Sequence, residues 1–417
     1  MFFNEHNNNS FYDVLHLNST IDIGGAAAIA INLHNTALQK GLRSIYLAGY
    51  FRGSRNASVV KQVIVFNNKY FKKINSFIFR LTGRPAIFHL KPYSMIAQLI
   101  LQSKIIHIHN IHGFSFDWKK VLSLIPDDKP LIWTLHDEWL LTGRCAFPKS
   151  CRGYFDLCKY CDHPEYYPSS MLKDFESDYL EKIKILQRFK NLTIVVQSDY
   201  MKLKLLSSPL GQSVVPKIVK IPNGVPDQLE VNETYYTQLL GRYKKVNKPL
   251  LAFIAAYACT YEKGFDRLLE LASNIPDAIF LVVGQCSKKQ RWSIPNNVIL
   301  LGQLHKKEVL AVLKASDVFV LLSRDDNYPT VLLEAMHVGI PLFAVNVGAV
   351  REMVSHSSGK ARVIDEWDVK KAMEEVNSLL ETRGKKESYI PHYNLSSSMV
   401  KSYTELYQHI LGENYRF

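Results

Sequence analysis

At 417 residues the chain exceeds the length over which one hydrophobic core keeps growing, so two domains of about 200 residues each are expected. Its 47% hydrophobic content is that of a globular protein, no run approaches the ~18 apolar residues of a membrane span, and the opening MFFNEHNNNS has no basic segment ahead of an apolar one, so a cytosolic protein without signal peptide or transmembrane helix is predicted. The net charge of +13 is one-sided: Met1 to Val225 holds 28 Lys/Arg against 16 Asp/Glu, or +12, and the remainder 23 against 22, or +1, which directs the first half at a polyanion or an anionic membrane surface, with Lys182, Lys184, Arg188 and Lys190 as one such cluster.

In chain order, DVLHLNS (Asp13 to Ser19) reads as a first strand that runs into Gly24-Gly25 and a small-residue helix, Ala26 to Gln39. Strand, glycine turn and helix open a nucleotide-type α/β unit, and glycines without a Cβ let the turn approach a ligand. SIYLAG (Ser44 to Gly49), VIVF (Val63 to Phe66), IIHIHN (Ile105 to Asn110), LIWTLHD (Leu131 to Asp137) and LTIVVQS (Leu192 to Ser198) follow as strands between helical spans, the alternation of a parallel sheet covered on both faces. A turn at Pro222-Asn223-Gly224 ends the first domain, and a polar, lysine-bearing linker, Pro226 to Lys248, leads to a second series: LLAFIAAY from Leu250, IFLVVG from Ile279, VILLG from Val298, DVFVLLS from Asp317 and PLFAV from Pro341. The fold class is therefore α/β with two doubly wound halves, followed by a helix from Ser396 to Leu411.

Three patterns carry chemistry. In SRDDNYPTVLLEAMHVGIP (Ser323 to Pro341), Asp326 and Glu334 are eight residues apart, a little over two helical turns, so both carboxylates can project from one helix face. Helix-starting N–H groups lie between them, an anion site flanked by acids that suits a sugar bound through phosphate; an amphipathic helix with an acidic cap is the plain alternative. His136 stands at the C-terminal end of a strand, where open α/β sheets present ligands, whereas His107 and His109 share one strand face and read as structural and His112 sits on the loop with Gly113. Cys145, Cys151, Cys158 and Cys161 follow directly in C-x5-C-x6-C-x2-C spacing, compatible with tetrahedral zinc; structural zinc, free thiols and disulfides all remain open there, while Cys259 and Cys286 sit singly.

The order of signals, GG loop, HNIHG, TLHDEW, IPNG, KGF and DNYPTVLLEAMHVGIP, resembles the retaining glycosyltransferase family 4 of the GT-B fold, from about Asp13 to Leu411. The resemblance implies two Rossmann-like doubly wound domains facing across a cleft: residues 1–225 for the acceptor, 226–395 for the nucleotide-sugar, and 396–417 as a helix crossing back. It implies a hexosyltransferase drawing on a UDP- or GDP-sugar, with Lys263 on the phosphates beside the backbone of Tyr328, Pro329 and Thr330, Asp326 near the sugar hydroxyls, Glu334 on the ribose, His136 on the donor sugar, and Gly24 and Gly25 lining the donor. His112 and Asp137 become acceptor-side contacts. Asp326 is one methylene shorter than the glutamate usual there, and Tyr257 stands where an arginine is common, with Arg324 and Lys288 as substitutes. No Asp-x-Asp occurs in the sequence, so catalysis without a metal cofactor is expected. A similar cysteine insert occurs in surface-polysaccharide enzymes of the family, including those resembling the colanic acid transferases, which implies a lipid-linked bacterial glycan acceptor and a peripheral place on the cytoplasmic face of the inner membrane. Two other classes stand as alternatives: a sugar-nucleotide epimerase on the same fold, and a nucleic-acid-binding protein suggested by the pI of about 9.2. The second lacks a recognition helix or aromatic platform, so no nucleic-acid partner is expected.

Overall fold

A computed structural model of the chain describes residues 12–21, 24–51, 61–171, 174–243, 248–286, 293–381 and 386–412. The opening MFFNEHNNNS and Lys288 lie outside them. The chain divides into two compact units: the described residues up to Gln197, Met201–Ile221 and the helical residues from Val400 form one, and Ser198–Tyr200 with Pro222–Met399 the other.

The first unit is a seven-stranded sheet of β1 (Tyr12–Thr20), β2 (Ser44–Tyr50), β3 (Val63–Val65), β4 (Ser103–Asn110), β5 (Leu131–Thr134), β6 (Leu192–Val196) and β7 (Lys217–Lys220), in the order 3-2-1-4-5-6-7. Every pairing is parallel. Central strands such as IIHIHN and LTIVV are buried on both faces, which is why they read as continuous apolar runs. The second unit repeats the plan with β8 (Leu250–Ile254), β9 (Ile279–Val283), β10 (Val298–Gly302), β11 (Val318–Leu321), β12 (Leu342–Val345) and β13 (Ala361–Ile364), all parallel in the order 10-9-8-11-12-13. In each sheet the order reverses once, between β1 and β4 and between β8 and β11, and the crevice beyond the carboxyl ends of such a pair is where open α/β sheets take ligands.

Three features differ from the sequence reading. The strands KIVK (β7) and ARVI (β13) were not expected, because edge strands of four residues with polar or half-exposed positions carry too little hydrophobic signal. The supposed linker 226–248 holds a helix, Glu233–Tyr243, whose Leu239 and Tyr243 are buried and whose Glu233 pairs with Lys314 at 2.7 Å; its apolar stripe is largely tyrosine and was hidden among polar neighbours. Cys259 and Cys286 do not sit singly but form a disulfide, since the turns after β8 and β9 bring them together.

The last helix, Ser396–Leu411, has Asp227 at its start, accepting from the backbone N–H and the hydroxyl of Ser397. Further along, within the first unit, Tyr403 and Tyr407 are buried and direct their hydroxyls to Thr134 Oγ1 (3.0 Å) and His107 Nδ1 (2.7 Å). Among the described residues no helix is long and apolar enough to cross a membrane.

Candidate functional site

In the second unit, the turn after β8 carries Lys263 and the loop after β11 carries Asp326, so both lie at the carboxyl ends of the strands that flank the reversal. Gly264 makes this possible. Its φ of +76° and missing Cβ let the Lys263 turn rest on the backbone of Leu322, and Arg324 N–H donates to Glu262 O at 2.8 Å across the same contact. Lys263 Nζ then reaches Asp326 Oδ2 at 2.7 Å. Both side chains are partly exposed, and pairs of that kind contribute about 0–1 kcal/mol, whereas a charge-assisted hydrogen bond to a desolvated ligand contributes roughly 1.5–3 kcal/mol. An incoming anion can therefore take Lys263 from Asp326.

The helix begins at Thr330 and ends at Val338, so Asp326 precedes it, and the expectation that Asp326 and Glu334 project from one helical face is corrected. Only Glu334 is helical, on the second turn and 6% exposed, where it ion-pairs with Lys306. Pro329 is the N-cap and has no N–H to offer, which leaves Thr330 and Val331 as the forward amides. Tyr328 is a structural anchor: its buried hydroxyl accepts from Asn394 Nδ2 at 2.6 Å. Next to it Asn327 is buried with neither side-chain atom partnered among the described residues, an unused pair of hydrogen-bonding groups inside this corner.

Of the substitutes for the absent arginine, Arg324 is committed elsewhere. It grips Asp266 with two bonds of 2.7 Å and lies over the Tyr261 ring at 3.6 Å, while Tyr257 points outward at 53% exposure. Sequence reasoning missed Lys306. A signal existed: Lys306-Lys307 occupy the first turn of the helix Lys306–Ala315, where the macrodipole disfavours cations, so a lysine there needs an acidic partner from outside the helix.

In the first unit, β4 and β5 place His109 and His136 side by side, with His109 Nδ1 to His136 Nε2 at 3.0 Å. Burial pushes His136 down to about 4 despite the Asp137 carboxylate beside it, so it is neutral at physiological pH. His109 thus bonds to the ring of His136, whereas His107 has its two nitrogens bonded to Tyr407 and to Thr134 Oγ1 (2.8 Å). His112 and Asp137 are both buried and bonded to each other at 2.7 Å. Burial alone would raise Asp137, but the charge and hydrogen bond of His112 and the Trp139 N–H outweigh it and hold the carboxyl low. The pair braces the loop after β5 instead of facing outward. Gly24 and Gly25 open the helix Gly24–Gln39, exposed and with nothing within 4 Å of an added Cβ.

The four loop cysteines are free, half-buried and line one small cavity. Burial and mutual repulsion push Cys145 up to about 12, while Gly143 N–H donates to Cys158 Sγ at 3.2 Å and Gly153 N–H to Cys151 Sγ at 3.4 Å. Among the described residues the set whose ligand atoms lie within 4.8 Å of one another is His16, His107 and His109, not the cysteines. Below the loop lies Lys182, which the charge count had placed in a surface cluster. It is instead fully buried, donating to the carbonyls of Trp139 (2.7 Å), Thr142 and Gly143 (2.9 Å each) over the Trp139 ring, and burial lowers it to about 7. Lys184 and Lys190 stay exposed, and Arg188 pairs with Asp127.

Comparison with known proteins matches residues 242–393 to the family described as Glycosyl transferases group 1. The putative colanic acid biosynthesis glycosyl transferase WcaC of Escherichia coli K12 is 27% identical over 359 residues, 84% of this chain and 86% of that protein. Among solved structures, Anabaena HepE in complex with UDP and glucose aligns at a TM-score of 0.64 with 15% identity, covering 95% of this chain and 100% of that one. WaaG, described as a glycosyltransferase involved in lipopolysaccharide biosynthesis, aligns at 0.59 with 13% identity, covering 95% and 94%. These likenesses show the GT-B fold of two Rossmann-like domains.

Proposed function

We propose, from the premise that residues 242–393 are a group 1 glycosyltransferase domain, that this glycosyltransferase moves a sugar from a UDP- or GDP-linked donor onto a lipid-linked glycan of bacterial surface-polysaccharide assembly, with retention at the anomeric carbon. The observation that carries the reading is the corner where Lys263 and Glu334 meet the reversal of strand order, each held by a partner that a nucleotide can replace. Lys263 takes the diphosphate and releases Asp326 to a sugar hydroxyl. Glu334 takes the ribose hydroxyls, and the Thr330 and Val331 amides take phosphate oxygen at the positive end of their helix. Asn327 supplies a further donor and acceptor. His136 contacts the donor sugar through a neutral ring.

For the chemical step we assign a front-face route. The bond from the anomeric carbon to the phosphate oxygen breaks, the acceptor oxygen bonds to the same face of that carbon, and the departing phosphate oxygen takes the acceptor's proton. Lys263 and the helix amides stabilise the charge that grows on the diphosphate, a role worth about 2.7–4 kcal/mol for a preorganised donor. The step is assigned without a metal cofactor.

Peripheral attachment to the cytoplasmic face of the inner membrane belongs to the helix Lys69–Thr82, not to the cluster around Lys182. Tyr70 (66% exposed), Ile74, Phe77 (65%) and Leu81 recur on one exposed stripe, and Lys69, Lys72, Lys73 and Arg80 surround it. No acidic residue occurs between Asp22 and Asp117. An apolar stripe rimmed by lysine is what an anionic bilayer surface binds. The four cysteines are assigned to one structural zinc, for which two N–H groups already directed at sulfur are suitable company for thiolates. The ion would supply folding stability to a loop with little apolar material of its own.

The test is transfer from a panel of radiolabelled UDP- and GDP-sugars into bacterial envelope lipids. One donor should pass label into the lipid phase. Label that stays in water for every donor, or that returns as an isomerised nucleotide-sugar, contradicts the reading.

A further inference from the structure

The first unit buries an unusual run of imidazoles at its strand reversal. β1 and β4 are neighbours with His16 opposite His107, and His109 lies two residues on along the same face; all three are fully buried. His16 Nδ1 lies 3.1 Å from His109 Nε2, and His109 Nδ1 lies 3.0 Å from His136 Nε2. Three rings thus share two nitrogen-to-nitrogen hydrogen bonds, running from the interior to His136, the half-buried member. His16 Nε2, at the inner end, is buried and has no partner among the described residues.

This arrangement has a direction. Burial keeps the rings neutral, since His16 and His109 are held well below the ordinary histidine range and His136 at about 4. A neutral imidazole carries one N–H, so the two shared bonds can be made only if all three N–H groups point the same way along the row. Pointed inward, the row ends in an N–H on His16 Nε2 with no acceptor. Pointed outward, the row leaves only a lone pair there. A buried N–H without an acceptor is the rarer and costlier defect, so the outward arrangement is favoured.

We infer that His16 and His109 are positioning residues that fix His136 as the Nδ1–H tautomer, so that its outer ring nitrogen donates a hydrogen bond to an oxygen of the bound group. The oxygen is of the kind a sugar hydroxyl or a phosphate presents, and in that respect the inference rests on the function proposed above. The ligand-atom spacing of His16, His107 and His109 also invites a metal. Against that, both nitrogens of His107 are engaged by Tyr407 and Thr134, and both of His109 by its neighbours. The group keeps a single unpartnered nitrogen, which ends a hydrogen-bonded row.

Long-range proton–nitrogen correlation spectra of the full chain, labelled with 15N-histidine and assigned with His136→Gln, read the tautomer without any substrate. The wild type should show His136 protonated at Nδ1. His109→Met should move His136 to the Nε2–H or a mixed form and slow transfer at least tenfold, and His109→Asn, whose amide N–H can replace Nδ1–H, should restore the tautomer and most of the rate. Protonation of wild-type His136 at Nε2 overturns the inference, as does normal transfer by His109→Met, or a metal retained after all four loop cysteines are replaced and lost in His16→Leu. If His109→Met does not fold, the wild-type spectrum decides alone. None of these results bears on Lys263 and Glu334, on which the donor reading stands.

Discussion

The two units share a strand order and a point of reversal, yet they place opposite chemistry there. The first presents neutral imidazoles, buried and held by one another: His16, His109, His136, with His107 tied to the last helix. The second presents two ion pairs, Lys263–Asp326 and Lys306–Glu334, with Lys263 and Lys306 reaching solvent. Neutral groups in a dry setting give direction at little desolvation cost; the partly exposed Lys263 gives affinity for an anion because its own partner is weakly held. The net positive charge belongs almost wholly to the half whose strand reversal presents neutral imidazoles.

Breaking the charged side should have the largest effect. Lys263→Ala should reduce turnover about 100-fold, by loss of a preorganised charge at the diphosphate, and Glu334→Ala at least tenfold, in steady-state transfer with melting temperature unchanged. Glu334→Ala leaves Lys306 unpaired, but that side chain is half in water and the fold should not notice.

The neutral side should break with acid. A histidine that folding holds neutral has a folded pKa below its unfolded value of about 6.5, so the unfolded state binds more protons below that pH. The stability is complete above pH 6.5 and lost as pH falls toward the folded values, about 4 for His136 and well below the ordinary histidine range for His16, His107 and His109, which burial holds neutral. Each contributes a slope of up to about 1.4 kcal/mol per pH unit. Thermal scans at pH 7, 6 and 5 should move the first unit's transition down more than the second's. Equal movement of both would remove the contrast.

Two smaller effects sharpen it further. Protein purified without chelator should carry one zinc per chain, and its removal or Cys158→Ser should lower the first unit's melting temperature by several degrees while leaving the second's in place; absence of stoichiometric zinc in metal analysis removes that assignment. On the helix Lys69–Thr82, Lys72→Gln and Lys73→Gln should each weaken binding to anionic vesicles roughly fivefold, with soluble turnover unaffected. Binding that ignores both substitutions would move the membrane surface elsewhere.

What could be read from the sequence follows from where each signal resides. Central strands were legible because burial on both faces leaves unbroken apolar runs, and the helix that carries Glu334 because its motif is contiguous. Which acid pairs with Lys306 was not legible, since Glu334 lies 28 residues on and only packing joins them. The charge count placed Lys182 in a basic surface cluster, but three carbonyls of the loop after β5 turn that position into a polar core. The contact of His109 with His136 was not legible because its partner arrives from beyond the next strand. Asp326 was placed on a helix by counting; Pro329 as N-cap starts the helix after it.

The central claim is that a nucleotide-sugar is held in the second unit by Lys263 and Glu334. The most direct measurement is thermal stability across a panel of UDP- and GDP-sugars for the wild type, Lys263→Ala and Glu334→Ala. A ligand that binds only the folded state raises the melting temperature with occupancy, so at least one donor should raise that of the wild type in a saturating manner and neither variant should respond at the same concentration. Variants that respond as the wild type does, or a wild type indifferent to every donor, would contradict the account.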